Sequence, residues 1–283
     1  MAHGKNILIT GGSGFIGKEA TAIFRKNGWN VIVVSRHMEP DNTVIKLDYA
    51  QPIKAQLHEI PPIEAIVHLA AAVDLSSTQI DQLYQSNVNL VTELAKFSQS
   101  RNAHFIFASS ALVAGKGAKV IASVDQVMPD LPYAKSKWMA EEIIRNIGLT
   151  HTILRIAGVF GLQGPSHLGL NKAISRLLDK NRPYQVGAGR AKRNYIYVKD
   201  VAEIIYEAVI EKIEGTHLIA GHEVKSIADM LQCLCDTFLP GRSPEIVEGL
   251  PAEDQIILPS NAFSCTRSFD NAVHDLYIRS TSQ

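Results

Sequence analysis

Residues Lys5–Gly17, KNILITGGSGFIG, constrain the fold more than any other stretch of this chain. Ile7, Leu8 and Ile9 form a short apolar run with polar flanks, the pattern of a buried strand. Thr10, Gly11 and Gly12 end it. Lys18–Lys26 then predicts a helix, with Ala20, Ile23 and Phe24 as its apolar stripe. Gly11, Gly14 and Gly17 therefore lie between a strand and a helix, spaced G-x-x-G-x-x-G. Gly11 permits a tight turn, Gly14 lets backbone approach a pyrophosphate, and Gly17 lets the helix pack closely on the strand. Free N–H groups at the helix start favour an anion. A glycine-rich turn that binds nothing has the same local composition, but the flanking elements favour a dinucleotide loop.

Asn30–Ser35 reads as a second buried strand, so strand, helix and strand make one βαβ unit within about 30 residues. Dinucleotide sites of this kind usually carry an acid at the end of that strand, for the adenosine ribose. Here the positions read Ser35, Arg36 and His37. An acid would repel a 2′-phosphate, whereas Arg36 can pair with one, which favours NADP(H) and leaves NAD(H) open. Val44–Leu47 predicts a third strand, followed by Asp48, and Ala65–Leu69 a fourth. His68, inside the fourth, is expected to pack in the core. Ala70, Ala71 and Ala72 are small enough for a flat ligand to lie close. Ile80–Ser100 has helical apolar spacing, interrupted by Asn87 and Asn89. His104–Ala108 is the expected fifth strand, ending in Ser109 and Ser110.

Composition narrows the class. The 283 residues suffice for one large α/β domain or a domain plus a lobe. The 28 basic and 28 acidic residues cancel, so no nucleic-acid footprint is indicated. Cys233, Cys235 and Cys265 are odd in number and argue for a reducing compartment over a disulfide scaffold. No metal-ligand spacing is present. Neither a leader nor a membrane-spanning run is recognised, and a cytoplasmic protein is expected.

The chemistry is expected from Pro132–Ile147. On a helix, Tyr133 and Lys137 are four apart and share a face. A nearby ammonium favours phenolate and would lower the tyrosine pKa. Such a tyrosine passes a proton to or from a carbinol while hydride moves to or from nicotinamide. Ser109 or Ser110, at the end of a neighbouring strand, could bond the same oxygen. Alone, Y-x-x-x-K is a common coincidence; its value comes from following a dinucleotide loop in a βαβαβ chain.

At this point the sequence resembles the extended short-chain dehydrogenase/reductases, the NAD(P)-dependent epimerase/dehydratase family. Thr10–Gly17 (TGGSGFIG) is similar to its phosphate loop, and His68–Ala71 (HLAA) to its fourth-strand motif. Asn87 in SNVNLVTELA matches the helix asparagine, which in the family has a structural role. Phe107–Gly115 (FASSALVAG) is similar to the strand-five motif and places Ser110 at the catalytic serine/threonine. Tyr133 and Lys137 match the catalytic pair. Leu154–Gly161 (LRIAGVFG) and Arg193–Ala202 (RNYIYVKDVA) resemble later motifs. The resemblance implies an α/β fold, a Rossmann-type doubly wound parallel sheet with a small C-terminal substrate lobe. Residues 1–160 would form the cofactor-binding core. Residues 161–283 would form a mixed lobe that also supplies late sheet elements. It implies cofactor contacts from Gly11, Ser13, Gly14, Phe15, Ile16, Gly17, Arg36, Asp48, Leu69, Ala70, Ala71, Tyr133 and Lys137. Ser110 and Arg193 would touch a substrate, by resemblance a nucleotide sugar, and the helices containing Ile80–Ser100 and Tyr133–Ile147 would pair two copies in a homodimer.

Departures are informative. Ala114 stands where the family often has tyrosine. Gly158 replaces an asparagine that in some sugar-nucleotide members touches the substrate diphosphate. Ala111 and Leu112 replace the acid pair of the dehydratases, so elimination of water is not expected. A 4-keto reductase and a C4 epimerase both remain, beside a reductase of a non-sugar carbonyl and a dinucleotide-binding sensor or scaffold without turnover. Further along, His151–Ile156 reads as a strand, Asn171–Asp179 as a helix, Asn194–Val198 as extended, and Asp200 as the cap of a helix over Val201–Lys212. Thr216–Ala220 reads as a strand, and Ser226 as the cap of Ile227–Phe238. Beyond Leu239 the signals fade among prolines.

Overall fold

The computed structural model describes residues 5–35, 44–48, 51–73, 80–264 and 266–282. Among the described residues, seven strands form the main sheet: β1 (Asn6–Thr10), β2 (Asn30–Ser35), β3 (Val44–Lys46), β4 (Ala65–His68), β5 (His104–Ser110), β6 (His151–Ile156) and β7 (Gly215–Ile219). Their order across the sheet is β7-β6-β5-β4-β1-β2-β3. β1 pairs in parallel with β2 on one side and β4 on the other, with Leu8 opposite Ile32 and Ile66. Strand order therefore reverses at β1, and in such sheets ligands bind beyond the carboxyl ends of the strands at that reversal. Leu8, Ile32, Ile66, Phe105 and Phe107 are buried from the strands, as continuous apolar runs of a sheet covered on both faces require.

The longer α-helices among the described residues alternate with or follow these strands along the chain. They are α1 (Phe15–Lys26), α2 (Ile80–Tyr84), α3 (Leu90–Ser100), α4 (Pro132–Ile147), α5 (Gly169–Leu178), α6 (Val198–Ile210), α7 (Ile227–Phe238) and α8 (Phe269–Thr281). No helix among the described residues is long and apolar enough to cross a membrane. Two compact units are interleaved along the chain. The first comprises Met1–Lys116, Gln126–Arg155 and Ala202–His217; the second comprises Gly117–Asp125, Ile156–Val201 and Leu218–Gln283. Residues 117–125 thus join the second unit and 202–217 the first.

Several local expectations are corrected. α1 starts at Phe15, three residues before Lys18, because Gly14 is extended and its carbonyl accepts from Lys18 N at 2.9 Å. The helix expected over Ile80–Ser100 is two helices joined by a π-helical turn, Gln85–Asn89. Asp200 lies inside α6, which starts at Val198, and not before it; it is buried, and its carboxylate takes the Arg267 guanidinium and the Arg267 N–H. A buried carboxylate requires such a partner. The tail after Leu239 contains α8, whose Phe269, Ala272, Val273 and Leu276 are buried at helical spacing. Its Ser268 cap accepts from Asn271 N at 3.2 Å.

Candidate active site

The glycine loop is built by close approach of backbone. Gly11 has φ +69°, a conformation that favours glycine, and a Cβ there would stand 2.8 Å from Ala70 N. A Cβ on Gly17 would stand 1.9 Å from the Gly11 carbonyl oxygen. Gly14 donates to that same oxygen at 2.9 Å and leaves the start of α1 without a side-chain cap. The first N–H groups of α1 are thus open to an anion, and the loop fits the pyrophosphate of a dinucleotide. Thr10 joins the loop to β4: its carbonyl accepts from Leu69 N at 3.1 Å and its hydroxyl from Ala70 N at 3.3 Å. Ser13, Phe15, Ile16, Leu69, Ala70 and Ala71 lie around this cradle, all but the exposed Gly14 between them half-buried or nearly so. Asp48 is exposed, and Gln56 braces its backbone N–H and carbonyl at 2.8 Å each. Arg36 lies outside the described residues.

His68 packs as expected. It is fully buried, stacked with Phe105 and Phe107, and its Nδ1 lies 2.7 Å from the Thr10 hydroxyl oxygen. Burial pushes its pKa down to about 3, with the Lys137 charge adding to the shift.

The end of β5 meets the first two turns of α4. Leu131 is extended before Pro132, and Pro132 opens the helix, the arrangement its ring favours. Ser110 closes β5, and its hydroxyl oxygen accepts from Leu112 N at 3.2 Å, at the start of the 3-10 turn Ala111–Ala114. The Ser110 hydroxyl also bonds the Tyr133 side chain. Lys137 is 2 % exposed; its Nζ donates to the Ala108 carbonyl at 2.8 Å and lies 4.7 Å from the centre of the Phe107 ring. The geometry therefore brings Ser110, Tyr133 and Lys137 together.

Their electrostatics differ from expectation. The helical spacing predicts a Tyr133 phenol lowered by Lys137, but burial raises it to about 12, opposed by the Ser110 hydrogen bond. Loss of hydration penalises the phenolate first. The Lys137 nitrogen lies 6.0 Å from the phenol ring centre and is engaged by the Ala108 carbonyl. Burial also lowers the Lys137 amine to about 7, with the Glu141 carboxylate pulling the other way. At neutral pH this phenol is an acid, suited to giving a proton to a carbonyl oxygen.

Asn87 shows why the π turn is there. It is 1 % exposed and accepts from Ala72 N at 2.8 Å while donating to Ala72 O at 2.9 Å. It also donates to the Ser136 hydroxyl at 3.1 Å, and that hydroxyl donates to the Tyr133 carbonyl at 2.8 Å. One amide thus ties the loop after β4 to the turn of α4 that carries Tyr133. Sequence reasoning misses Ser136, although it lies one residue before Lys137. It misses Glu141 too, although that residue continues the four-residue spacing of Tyr133 and Lys137.

In the second unit, Arg193 is half-buried and its backbone pairs with Lys225; its guanidinium donates to Lys192 O at 3.3 Å. A Cβ on Gly158 would stand 2.5 Å from the Tyr195 ring, so the aromatic ring fills the space a side chain at 158 would need. Tyr195 also lines a cavity of about 350 Å³ whose walls include Leu170, Val186, Ile227, Leu231 and Arg190.

Among known proteins, the chain is 25% identical over 241 residues to GDP-6-deoxy-D-talose 4-dehydrogenase of Aggregatibacter actinomycetemcomitans, covering 81% of this chain and 79% of that protein. It is 28% identical over 246 residues to a decarboxylating sterol-4-alpha-carboxylate 3-dehydrogenase of Dictyostelium discoideum, covering 78% and 73%. Its fold matches UDP-glucuronic acid 4-epimerase from Bacillus cereus in complex with NAD, with a TM-score of 0.81, 19% identity and coverage of 98% and 99%. The family model for the NAD dependent epimerase/dehydratase family matches residues 7–221. With that match spanning most of its length, over a Rossmann-type sheet, this chain belongs to the NAD dependent epimerase/dehydratase family of enzymes.

Proposed function

We propose that this enzyme carries out reversible hydride transfer at C4 of a nucleotide-linked sugar, as a 4-keto reductase or C4 epimerase. The observation that carries the reading is the Ser110 hydroxyl on the Tyr133 phenol, with Lys137 buried one helical turn behind. The bound nicotinamide supplies the carbon that gives or takes hydride. Tyr133 gives its proton to the substrate oxygen in reduction and takes it back in oxidation. Ser110 orients that oxygen, and Lys137 places positive charge near the phenol and would hold the cofactor ribose. Ser13, Phe15, Ile16 and the three loop glycines would hold the pyrophosphate, and Asp48 and Leu69–Ala71 would contribute further cofactor contacts. Ala111 and Leu112 offer no acid or base, which argues against water elimination. The sugar C4 position is named in the 4-dehydrogenase and 4-epimerase relatives.

NADP(H) is the cofactor favoured by Arg36, and Arg193 is the residue assigned to a substrate diphosphate. The fit to an epimerase solved with NAD keeps NAD(H) as the competitor. Competition between the two cofactors for one site tests this, and a clear preference for NAD removes the Arg36 assignment. The protein is further proposed to be a cytoplasmic homodimer formed through the α2–α3 segment, Ile80–Ser100, and α4. A second reading, reduction of a non-sugar carbonyl, is favoured by Tyr195 filling the space beside Gly158 and by the sterol dehydrogenase relative. A panel of nucleotide sugars and simple ketones with NADPH and NADH separates the two readings. Cofactor consumed one-for-one marks a reductase; turnover without net cofactor change marks an epimerase.

A further inference from the structure

Three consecutive residues of β5 each hold one of three residues spaced four apart on α4. Ala108 holds Lys137 through its carbonyl, and Ser110 bonds Tyr133. Between them, the Ser109 hydroxyl donates to the Glu141 carboxylate at 2.5 Å. Glu141 is fully buried, and on its other side Arg155 of β6, itself 1 % exposed, donates from Nε at 3.0 Å and from its terminal nitrogen at 2.7 Å. Arg145 adds a further bond at 2.8 Å, and Trp138 lies against both guanidinium groups. No step of the proposed chemistry uses this carboxylate, yet a charge so deeply buried is costly unless it is held this completely.

We infer that Glu141 is a positioning residue for Lys137: pinned by Ser109 and Arg155, it sets the register of α4 on β5 and holds a carboxylate one helical turn beyond the lysine. The inference rests on the reading of Tyr133 and Lys137 as the proton-handling pair. Two observations support the electrostatic half. Burial drives the Lys137 amine down to about 7, at the edge of losing its proton, and the Glu141 charge opposes that drift. Among the described residues, the other groups facing Lys137 supply no compensating anion. β4 presents His68, which burial holds neutral; β5 presents the Phe107 face and the Ala108 carbonyl; the π turn presents Asn87 through Ser136. Arg145 and Arg155 act in the opposite sense, since each cation on Glu141 offsets part of the field it exerts on Lys137.

The two signs make the test. In full-length protein carrying a carbon-13 label at lysine Cε, the Lys137 signal is identified by its loss in Lys137→Arg, and its pH titration is followed directly. Glu141→Gln keeps the shape and removes the charge, and is expected to move the Lys137 midpoint down by about one pH unit. Glu141→Asp is expected to bring it back. Arg145→Gln, at a side chain only 30% exposed but on the rim of the cluster, is expected to move the midpoint up. Should Glu141→Gln not fold, the Arg145→Gln shift carries the test alone. The limb of the activity profile governed by Lys137 should move with the midpoint in each variant. An unmoved midpoint, or movement in the same direction in the Glu141→Gln and Arg145→Gln proteins, overturns the inference. Midpoints that move as described in a protein without turnover on any nucleotide sugar uphold the inference and overturn the proposed function instead.

Discussion

Tyr133 is set up as an acid before it is a base. Its phenol, raised to about 12, stays protonated through the physiological range, and in the proposed mechanism its proton passes to the substrate oxygen that Ser110 orients. Tyr133→Phe is expected to lower kcat by about 10²- to 10⁴-fold, the range general acid–base catalysis spans. Dinucleotide affinity, followed by quenching of intrinsic fluorescence, should change little. The residue scale also sets a stability profile. His68, with a folded pKa near 3 against 6.5 unfolded, resists protonation in the native state. Between those values the unfolded chain binds the extra proton, so this stability is full above pH 6.5 and is lost as pH falls toward 3. His68→Gln should flatten the acid limb of a urea-denaturation series over that window while lowering stability at neutral pH. An unchanged acid limb contradicts the buried, neutral assignment. Lys137 runs in the opposite part of the scale: its pKa falls from 10.5 to about 7, so the native state gains stability as pH rises between them.

At the scale of elements, the site depends on two irregular pieces of backbone. One is the loop between β1 and α1, where Gly17→Ala would drive a methyl group to within 1.9 Å of a carbonyl oxygen. That variant is expected to lose dinucleotide binding and to melt earlier. The other is the π turn, a feature often found at functional sites. Asn87→Ala leaves the backbone groups of Ala72 without their partner, at a cost of about 1–3 kcal/mol by denaturant titration. Because Asn87 also holds Ser136 beneath Tyr133, kcat should fall more than KM rises. Helical periodicity makes the elements on either side of this turn legible, and Asn87 and Asn89 mark the interruption. The register change itself is not legible, since it answers to Ala72 and Ser136, distant in sequence. α8 shows the converse. Its Ser268 cap and the spacing of Phe269, Ala272, Val273 and Leu276 are present in the sequence, but the preceding prolines suggest a structureless tail.

For the molecule as a whole, the apolar runs of β1, β2, β4 and β5 make the parallel sheet readable, because a strand buried on both faces writes its burial into consecutive residues. The proposed catalytic pair is readable because helix geometry alone puts Tyr133 and Lys137 on one face. Their ionisation is not, because desolvation depends on everything packed around them: the expected lowering of Tyr133 becomes a rise. The interleaving of the two units is equally hidden, since it depends on which distant segments pack together. The proposed homodimer predicts twice the chain mass in sedimentation at micromolar concentration, and a monomer there removes the α2–α3 segment and α4 as an interface. The central claim, hydride transfer through Ser110, Tyr133 and Lys137, is met most directly by watching reduced-nicotinamide absorbance. The cofactor-loaded protein is mixed with a panel of nucleotide sugars, in wild-type and Tyr133→Phe forms. The account predicts a change in absorbance, transient or lasting, with at least one nucleotide sugar in the wild type and its loss in the variant. An equal response in both proteins, or none with any nucleotide sugar alongside tight cofactor binding, would contradict it.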